Sequence, residues 1–156
     1  MIVSHISAPT FTRPADTTAY ADGDLVANST TAGSVTPLVF KIPNKRSCIV
    51  RGASVQKSDG TDVSGALFTV HLYRTSPTVT NGDNGALATD AANKIGILSV
   101  GQQIAHSDDG YLNTYGGNFY VDSGADRAIY GLLEVDGVYT PASEETFTVS
   151  IVVEQD

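Results

Sequence analysis

The sequence predicts a single all-β domain, a β-sandwich with a jelly roll as its favoured topology. The chain has 156 residues, the size of one ordinary domain. Short segments rich in β-branched and aromatic residues alternate with turn signals along most of its length. Helix signals are almost absent, since only residues 16–20 and 89–92 could form about one helical turn. Strands of this number and length need two packed sheets.

Two segments carry the clearest strand patterns. Residues 67–73 combine β-branched and aromatic side chains and end at a turn signal. In residues 146–153 every second side chain is apolar, from Phe147 to Val153, and Thr146, Thr148 and Ser150 point the other way. This alternation predicts a strand with one face on the core and the other facing water or a partner.

Weaker patterns predict the remaining strands. Residues 35–42 place Leu38, Phe40 and Ile42 on one face, and Pro37 favours an edge or a bulge because proline cannot donate to the ladder. The other candidates are 48–56, 95–100, 118–121 and 128–135, with fainter ones at 2–6, 24–27 and 103–106. Asp-Gly, Asn-Gly and Gly-Gly pairs supply the positive φ that tight turns require. They stand at 59–60, 81–82, 84–85, 109–110, 116–117 and 136–137.

The first part of the chain differs from the rest. It is small, polar and rich in threonine and alanine. We therefore expect residues 1–22 to form an extended N-terminal arm and residues 23–156 to form the sandwich domain.

Charge argues against a nucleic-acid partner. Residues 1–78 carry seven lysines and arginines against five acids, whereas residues 79–156 carry two against twelve, for a net charge of −8. Nucleic-acid binders need clustered cations to displace phosphate counterions. The apolar runs span only a few residues, as in 129–133, so no membrane segment is predicted either.

The start of the sequence lacks the charged head and apolar stretch of a signal peptide, so we expect synthesis in a cytoplasm. The single cysteine, Cys48, stands before Ile49 and Val50 and is interpreted as a small buried apolar residue.

Catalytic patterns are weak, and we predict no enzyme and no cofactor. Residues 106–109 offer a histidine, a serine and two aspartates, but four adjacent loop residues cannot converge as triad members must. A glycosidase needs two acids about 5–10 Å apart, one with a raised pKa. There is no tryptophan to line a sugar cleft, and the available acids stand in or beside predicted turns: Asp108, Asp109, Asp122, Asp126, Glu144 and Glu145.

A metal site is also not predicted. The oxygen-rich turn at residues 81–85 is of a kind that calcium favours, but it lacks the acidic ligand expected at the end of an EF-hand loop. A plain β-turn is the preferred interpretation. The main cluster of positive charge is Lys45 and Arg46, with Lys41, Arg51 and Lys57 nearby. It is either a solvated loop or a docking patch for an acidic protein surface.

Several stretches resemble a family of tailed-phage virion proteins. They are residues 12–28, which begin Thr-Arg-Pro-Ala-Asp, residues 71–86, residues 129–134 and residues 139–149. The similarity runs in order from about residue 11 to the end. It implies a phage structural protein, most like the decoration or cement proteins that bind the assembled head and bridge capsomers, many of them as trimers. It also implies variable loops between Lys45 and Gly65 and between Gln102 and Gly117.

From the resemblance we expect a capsid decoration protein that is made in the cytoplasm of a bacterial host and lies on the outer surface of the virion. Its expected partners are the major capsid protein and copies of itself, as a homotrimer. The predicted capsid contacts are Arg13, Pro14, Tyr20, Lys45 and Arg46. The alternative is a tail or fibre module that recognises a host-surface carbohydrate or protein. It would use exposed aromatic residues, for which the candidates are Tyr111, Tyr115, Phe119 and Tyr120.

Overall fold

The computed structural model describes residues 2–59, 67–105 and 110–156, without the side chains of 102–105 and 110–116. These residues form eleven strands in two antiparallel sheets, which confirms the predicted all-β sandwich. The strands are β1 (Val3–Ser7), β2 (Thr10–Thr12), β3 (Leu25–Val26), β4 (Leu38–Lys41), β5 (Ser47–Lys57), β6 (Leu67–Tyr73), β7 (Lys94–Val100), β8 (Gln102–Ala105), β9 (Gly110–Asp122), β10 (Ala128–Asp136) and β11 (Thr146–Gln155).

The first sheet has the order β1-β11-β5-β9-β8, and β2 also pairs with β11. The second has the order β3-β10-β6-β7, and β4 also pairs with β10. The antiparallel pairs are nested along the chain: β2 with β11, β4 with β10, β5 with β9 and β6 with β7. This nesting is compatible with the predicted jelly roll, in which two Greek keys wind a long paired ribbon into two sheets.

The core lies between the sheets and follows the period of two. In β11 the side chains from Phe147 to Gln155 alternate between buried and half-buried at every position. Phe147 stacks on Phe11 of β2 with ring centroids 5.6 Å apart and meets the edge of Phe68 from the second sheet. A smaller apolar cluster covers the outer face of the second sheet, where Leu25 and Val79 pack on Tyr73 and Leu132.

Two of the predicted loops are wrong. β5 occupies most of the segment between Lys45 and Gly65, and β8 and β9 occupy most of that between Gln102 and Gly117. The pair at 116–117 is not a turn, because it lies within β9 at an irregularity in the pairing with β5. A Cβ at Gly117 would lie 2.8 Å from Leu98 Cδ2 and 3.1 Å from Val50 O, so glycine is required there by close packing.

Smaller differences concern local structure. Residues 16–20 and 89–92 are not helical, and the described residues contain one short 3₁₀ turn, Ala32–Ser34. The turn predicted at 136–137 is present, with φ of 104° at Gly137. The sequence patterns did not indicate β2.

The segment predicted as an arm lies along the sandwich in this structure. β1 and β2 pair with β11, and Arg13 N–H donates to Glu145 O at 3.0 Å. Tyr20 exchanges backbone hydrogen bonds with Tyr139. The boundary after residue 22 stays a prediction.

Cys48 gives a direct test of the β5 register. Its side chain is buried, and burial raises the pKa of its thiol to about 11. We therefore expect the folded protein at pH 8 to react with a thiol reagent about a hundredfold more slowly than a free cysteine, because little thiolate is present. Labelling with a chromogenic disulfide measures this, with the protein unfolded in guanidinium as the control. Equally fast labelling in both states would contradict the burial.

Candidate functional site

The structure separates the five residues predicted to contact a capsid. The side chains of Arg13 and Tyr20 lie inside the protein, with 2% and 1% of each residue exposed. Pro14 is half-buried, and Lys45 and Arg46 are exposed in the connection between β4 and β5. The first two therefore have structural partners in this conformation, and the last two remain accessible from outside.

Arg13 belongs to a buried polar network centred on Asp83. Arg13 Nη2 lies 3.0 Å from Asp83 Oδ2, and Arg13 Nε donates to the hydroxyl of Tyr20 at 2.9 Å. The Tyr20 hydroxyl and the N–H of Ala27 both donate to Asp83 Oδ1, at 2.6 and 2.8 Å. Burial raises the pKa of Asp83 and also that of Tyr20. The network ties the segment before β3 to the turn at residues 81–85.

These contacts decide the interpretation of that oxygen-rich turn. The carboxylate of Asp83 points into the protein and is already occupied by Arg13, Tyr20 and Ala27. A Cβ at Gly82 would lie 2.1 Å from Thr30 O, so the turn packs tightly against residues 29–30. The turn is therefore a structural anchor, with its acidic side chain directed away from solvent.

A second buried ion pair joins Lys57 to Glu145. Lys57 Nζ lies 3.0 Å from Glu145 Oε1 and donates to the Tyr139 hydroxyl at 3.0 Å, and that hydroxyl donates to Glu145 Oε2. Burial, followed by the hydrogen bond to Glu145, raises the pKa of Tyr139. The rings of Tyr20 and Tyr139 stack at 6.1 Å, which links the two networks. Each charge is paired and enclosed, so the arrangement is suited to holding loops in place.

Lys57 is therefore buried and does not belong to the positive surface cluster that was predicted around Lys45 and Arg46. The alternation of β5 contains the signal: Ala53, Val55 and Lys57 share the core side of the strand. Glu145 follows the same alternation, because it lies two residues before the buried Phe147 and is buried as well. Charged residues at core positions of a strand predict buried pairs, because an unpaired charge is too costly to enclose.

The outer face of the first sheet carries exposed apolar side chains. Ile6 faces Val152 across β1 and β11, and Ile49 faces Tyr120 across β5 and β9. Tyr120 is 69% exposed, Ile2 66% and Ile6 72%. Ile2, Ile49 and Tyr120 together line a shallow cavity of about 270 Å³. We call this set the apolar face: Ile2, Ile6, Ile49, Tyr120 and Val152.

Charged residues border the apolar face and also interrupt it, since Glu154 of β11 lies between Ser4 of β1 and Ile49 of β5 on this face. Arg51 Nη2 lies 2.6 Å from Glu154 Oε2, and Arg51 also donates to the side chain of Asn118. Lys45 lines the cavity together with Arg51 and Asp156. Arg46 stands nearby and lies 3.4 Å from Asp122 through its exposed guanidinium. Exposed apolar side chains interspersed with charged ones are typical of a protein contact surface.

His5 and His71, the histidines that the structure describes, do not come together in a site. His5 lies 3.0 Å from Asn44 through its Nε2. His71 contacts Glu134 on the second sheet, and burial, followed by Lys94, lowers its pKa. Residues 106–109, considered above as a triad, lie outside the described residues. Within residues 2–59, 67–105 and 110–156, no three His, Cys, Asp or Glu side chains are grouped to hold a metal ion.

The aromatic candidates for sugar binding do not behave alike. Tyr120 is exposed on the apolar face, whereas Phe119 packs against the core. The side chains of Tyr111 and Tyr115 lie outside the described residues. No helix among the residues described here is long and apolar enough to cross a membrane.

Comparisons with known proteins were made for sequence and structure. No family model and no curated protein matches the sequence. The chain is similar to one in the cyanophage Pam1 capsid asymmetric unit, with a TM-score of 0.36 and 11% identity over 99% of this chain and 85% of that one. It is also similar to a chain of infectious bursal disease virus strain Gx, with a TM-score of 0.37 and 11% identity over 99% of this chain and 32% of that one. This chain thus spans about a third of the second neighbour's length. Both TM-scores are below 0.5. The function of this chain is therefore inferred from its own residues.

Proposed function

We propose that the protein decorates the outer surface of a phage head as a homotrimer, binds the major capsid protein and stabilises the junctions between capsomers. The observation that carries the proposal is the apolar face, where Tyr120, Ile2 and Ile6 are each more than 60% exposed on an otherwise well-packed sandwich. Exposed apolar groups gathered on one side of a folded domain mark an interaction surface. The sequence resemblance to tailed-phage virion proteins supports a virion as its location.

Two further features support a contact with a larger assembly. Lys45 and Arg46 stand beside the apolar face, so it combines apolar contact with charges that set the orientation of a partner. The two buried ion pairs, Arg13 with Asp83 and Lys57 with Glu145, hold the connecting segments in place. The domain can therefore present its outer surface as a rigid body. A protein that binds the assembled shell and not its free subunits stabilises that shell by mass action, and three linked copies increase the effect.

Binding to undecorated heads tests the proposal. We expect Tyr120→Lys to weaken binding by about thirtyfold, because a central aromatic side chain in a contact contributes about 2 kcal/mol or more. Val138→Lys is the matched control, since Val138 is 72% exposed but lies outside the apolar face. The heads are those of the encoding phage assembled without this protein, and binding is measured by co-sedimentation.

The outcomes are distinct. If Tyr120→Lys and the double variant Lys45→Glu with Arg46→Glu both bind as the wild type does, the apolar face is not the contact and the proposal fails. Imaging of decorated heads adds a second criterion, because the proposal requires density at capsomer junctions. Density on the tail alone would contradict it.

One observation favours a second candidate, a tail or fibre module that binds host carbohydrate. Tyr120 is exposed beside a cavity that also presents Ser47, Arg51 and Glu154, and an aromatic ring next to polar groups can stack on a sugar. A glycan array separates the two functions. Hits that are lost with Tyr120→Lys would support the carbohydrate module, and the decoration function predicts none.

A further inference from the structure

Strand β1 leaves one edge of the first sheet open among the described residues. Its register with β11 continues unbroken into β2, from Val3 opposite Gln155 to Thr12 opposite Thr146. Val149 N–H donates to Pro9 O at 3.0 Å, which makes this a hydrogen-bonded pair. Such pairs recur at every second residue of an antiparallel ladder, so the peptide groups of Ser4 and Ile6 point away from β11.

The sequence of this edge does not protect it. Val3–Ser7 contains no proline, lysine or carboxylate, the residues with which edge strands usually avoid pairing. The side chains flanking the outward peptide groups are apolar and exposed, at Ile2 and Ile6. An edge with free peptide groups and alternate apolar side chains is a template for an added strand.

Lysines stand near both ends of β1. Lys41 N–H donates to Ser7 Oγ at 2.9 Å, which places that lysine at the strand's end. Lys45 lines the cavity beside Ile2 at the strand's start. Of the two carboxylates close by, Glu154 is paired with Arg51 and Asp156 lies in the cavity wall. Lys41, Lys45 and Arg51 against Glu154 and Asp156 give this edge a formal charge of +1, in a chain of net charge −8.

We infer that β1 binds an extended segment of a partner protein by strand addition, and that the segment has apolar residues at alternate positions and acidic residues at its ends. The inference rests on the proposed function for the source of the segment, the capsid protein. The edge and the adjoining apolar face form one continuous surface, so a shell segment on β1 lies beside the contact made by Tyr120.

A pair of synthetic peptides tests the inference without phage heads. The first is an acetylated and amidated nonapeptide of alternating valine and threonine with aspartates at both ends, and the second carries lysines instead. Ser4→Pro removes the outward N–H and leaves the bonds to β11 intact, since Ser4 does not donate to that strand. Ile6→Lys places a charge on the edge, and Val138→Lys is the equally exposed control.

We expect the acidic peptide to bind the wild type in low salt and to bind Ser4→Pro and Ile6→Lys at least about tenfold more weakly, by titration calorimetry. Val138→Lys should bind as the wild type does, and the lysine peptide about tenfold more weakly than the acidic one. Unchanged thermal midpoints show that the variants are folded. Failure of this test alone, with head binding still dependent on Tyr120, would overturn the inference and leave the proposed function intact.

Three results would overturn the inference. The first is that the acidic peptide does not bind the wild type. The second is that it binds the edge variants as tightly as the wild type, and the third is that the acidic and lysine peptides bind the wild type equally. Sedimentation of the wild type adds a fourth, because an oligomer that Ser4→Pro disperses would identify a second copy as the occupant of the edge.

Discussion

Asp83→Asn is expected to lower the free energy of unfolding by about 3–5 kcal/mol, the cost of leaving a buried charge without its partner. The amide is nearly isosteric, and its oxygen can still accept from Tyr20 and Ala27. Its NH₂ group, however, would face the guanidinium of Arg13, which lies 3.0 Å from the carboxylate in the wild type. Asp16 also pairs with Arg13 Nη2, at 3.1 Å, but its side chain is 35% accessible and screened by solvent, so it does not replace the buried charge.

Chemical and thermal unfolding measure the effect. For a domain of this length the loss corresponds to a drop of roughly 10 °C in Tm. Asp122→Asn is the matched control, because that carboxylate also pairs with an arginine but at the surface, where the ion pair contributes little. Equal midpoints for the two variants would show that Asp83 is not an enclosed partner of Arg13.

The pair Lys57 and Glu145 should show strong coupling in a double-mutant cycle. Glu145→Gln alone leaves the ammonium of Lys57 buried and unpaired, and we expect a loss of about 3–5 kcal/mol. Lys57→Met alone removes the cation that neutralises the carboxylate and leaves the Tyr139 hydroxyl and the N–H of Ala142 as its donors among the described residues. The double variant keeps a hydrogen bond from Tyr139 to the amide oxygen and encloses no charge.

We therefore expect the double variant to recover most of the stability that either single variant loses, to within about 1 kcal/mol of the wild type. Urea unfolding of all four proteins gives the coupling energy. The matched surface cycle is Arg46→Met with Asp122→Asn, which should show almost no coupling because both side chains are exposed. Additive losses at Lys57 and Glu145 would contradict a direct buried pair.

The part of the fold that was predictable is the part in which each strand contains its own signal. β11 alternates with a period of two and β6 is rich in β-branched and aromatic residues, and their predicted ranges agree with the structure at nearly every residue. β9 was missed over most of its length because Gly116 and Gly117 resemble a turn. Glycine is required at position 117 because Leu98 and Val50 pack against it, and these residues are distant in sequence and therefore invisible to a local pattern.

The candidate site was less predictable for a related reason. The exposed pair Lys45 and Arg46 follows from local composition, and the structure keeps both at the surface. The burial of Arg13 depends on Asp83, seventy positions later, and that of Lys57 on Glu145. The apolar face depends on which strands are neighbours, since Ile6 and Tyr120 are brought onto one sheet only by β11 and β5 between them.

The position of β11 has a consequence for synthesis of the chain. This last strand lies inside the first sheet, between the N-terminal strands and β5. While the ribosome is still translating the earlier segments, β1 and β2 have no ladder to join, and the inner edge of β5 is uncovered. Because a sheet dominated by sequence-distant pairing closes late, the nascent chain exposes these unpaired edges until residues 146–155 emerge.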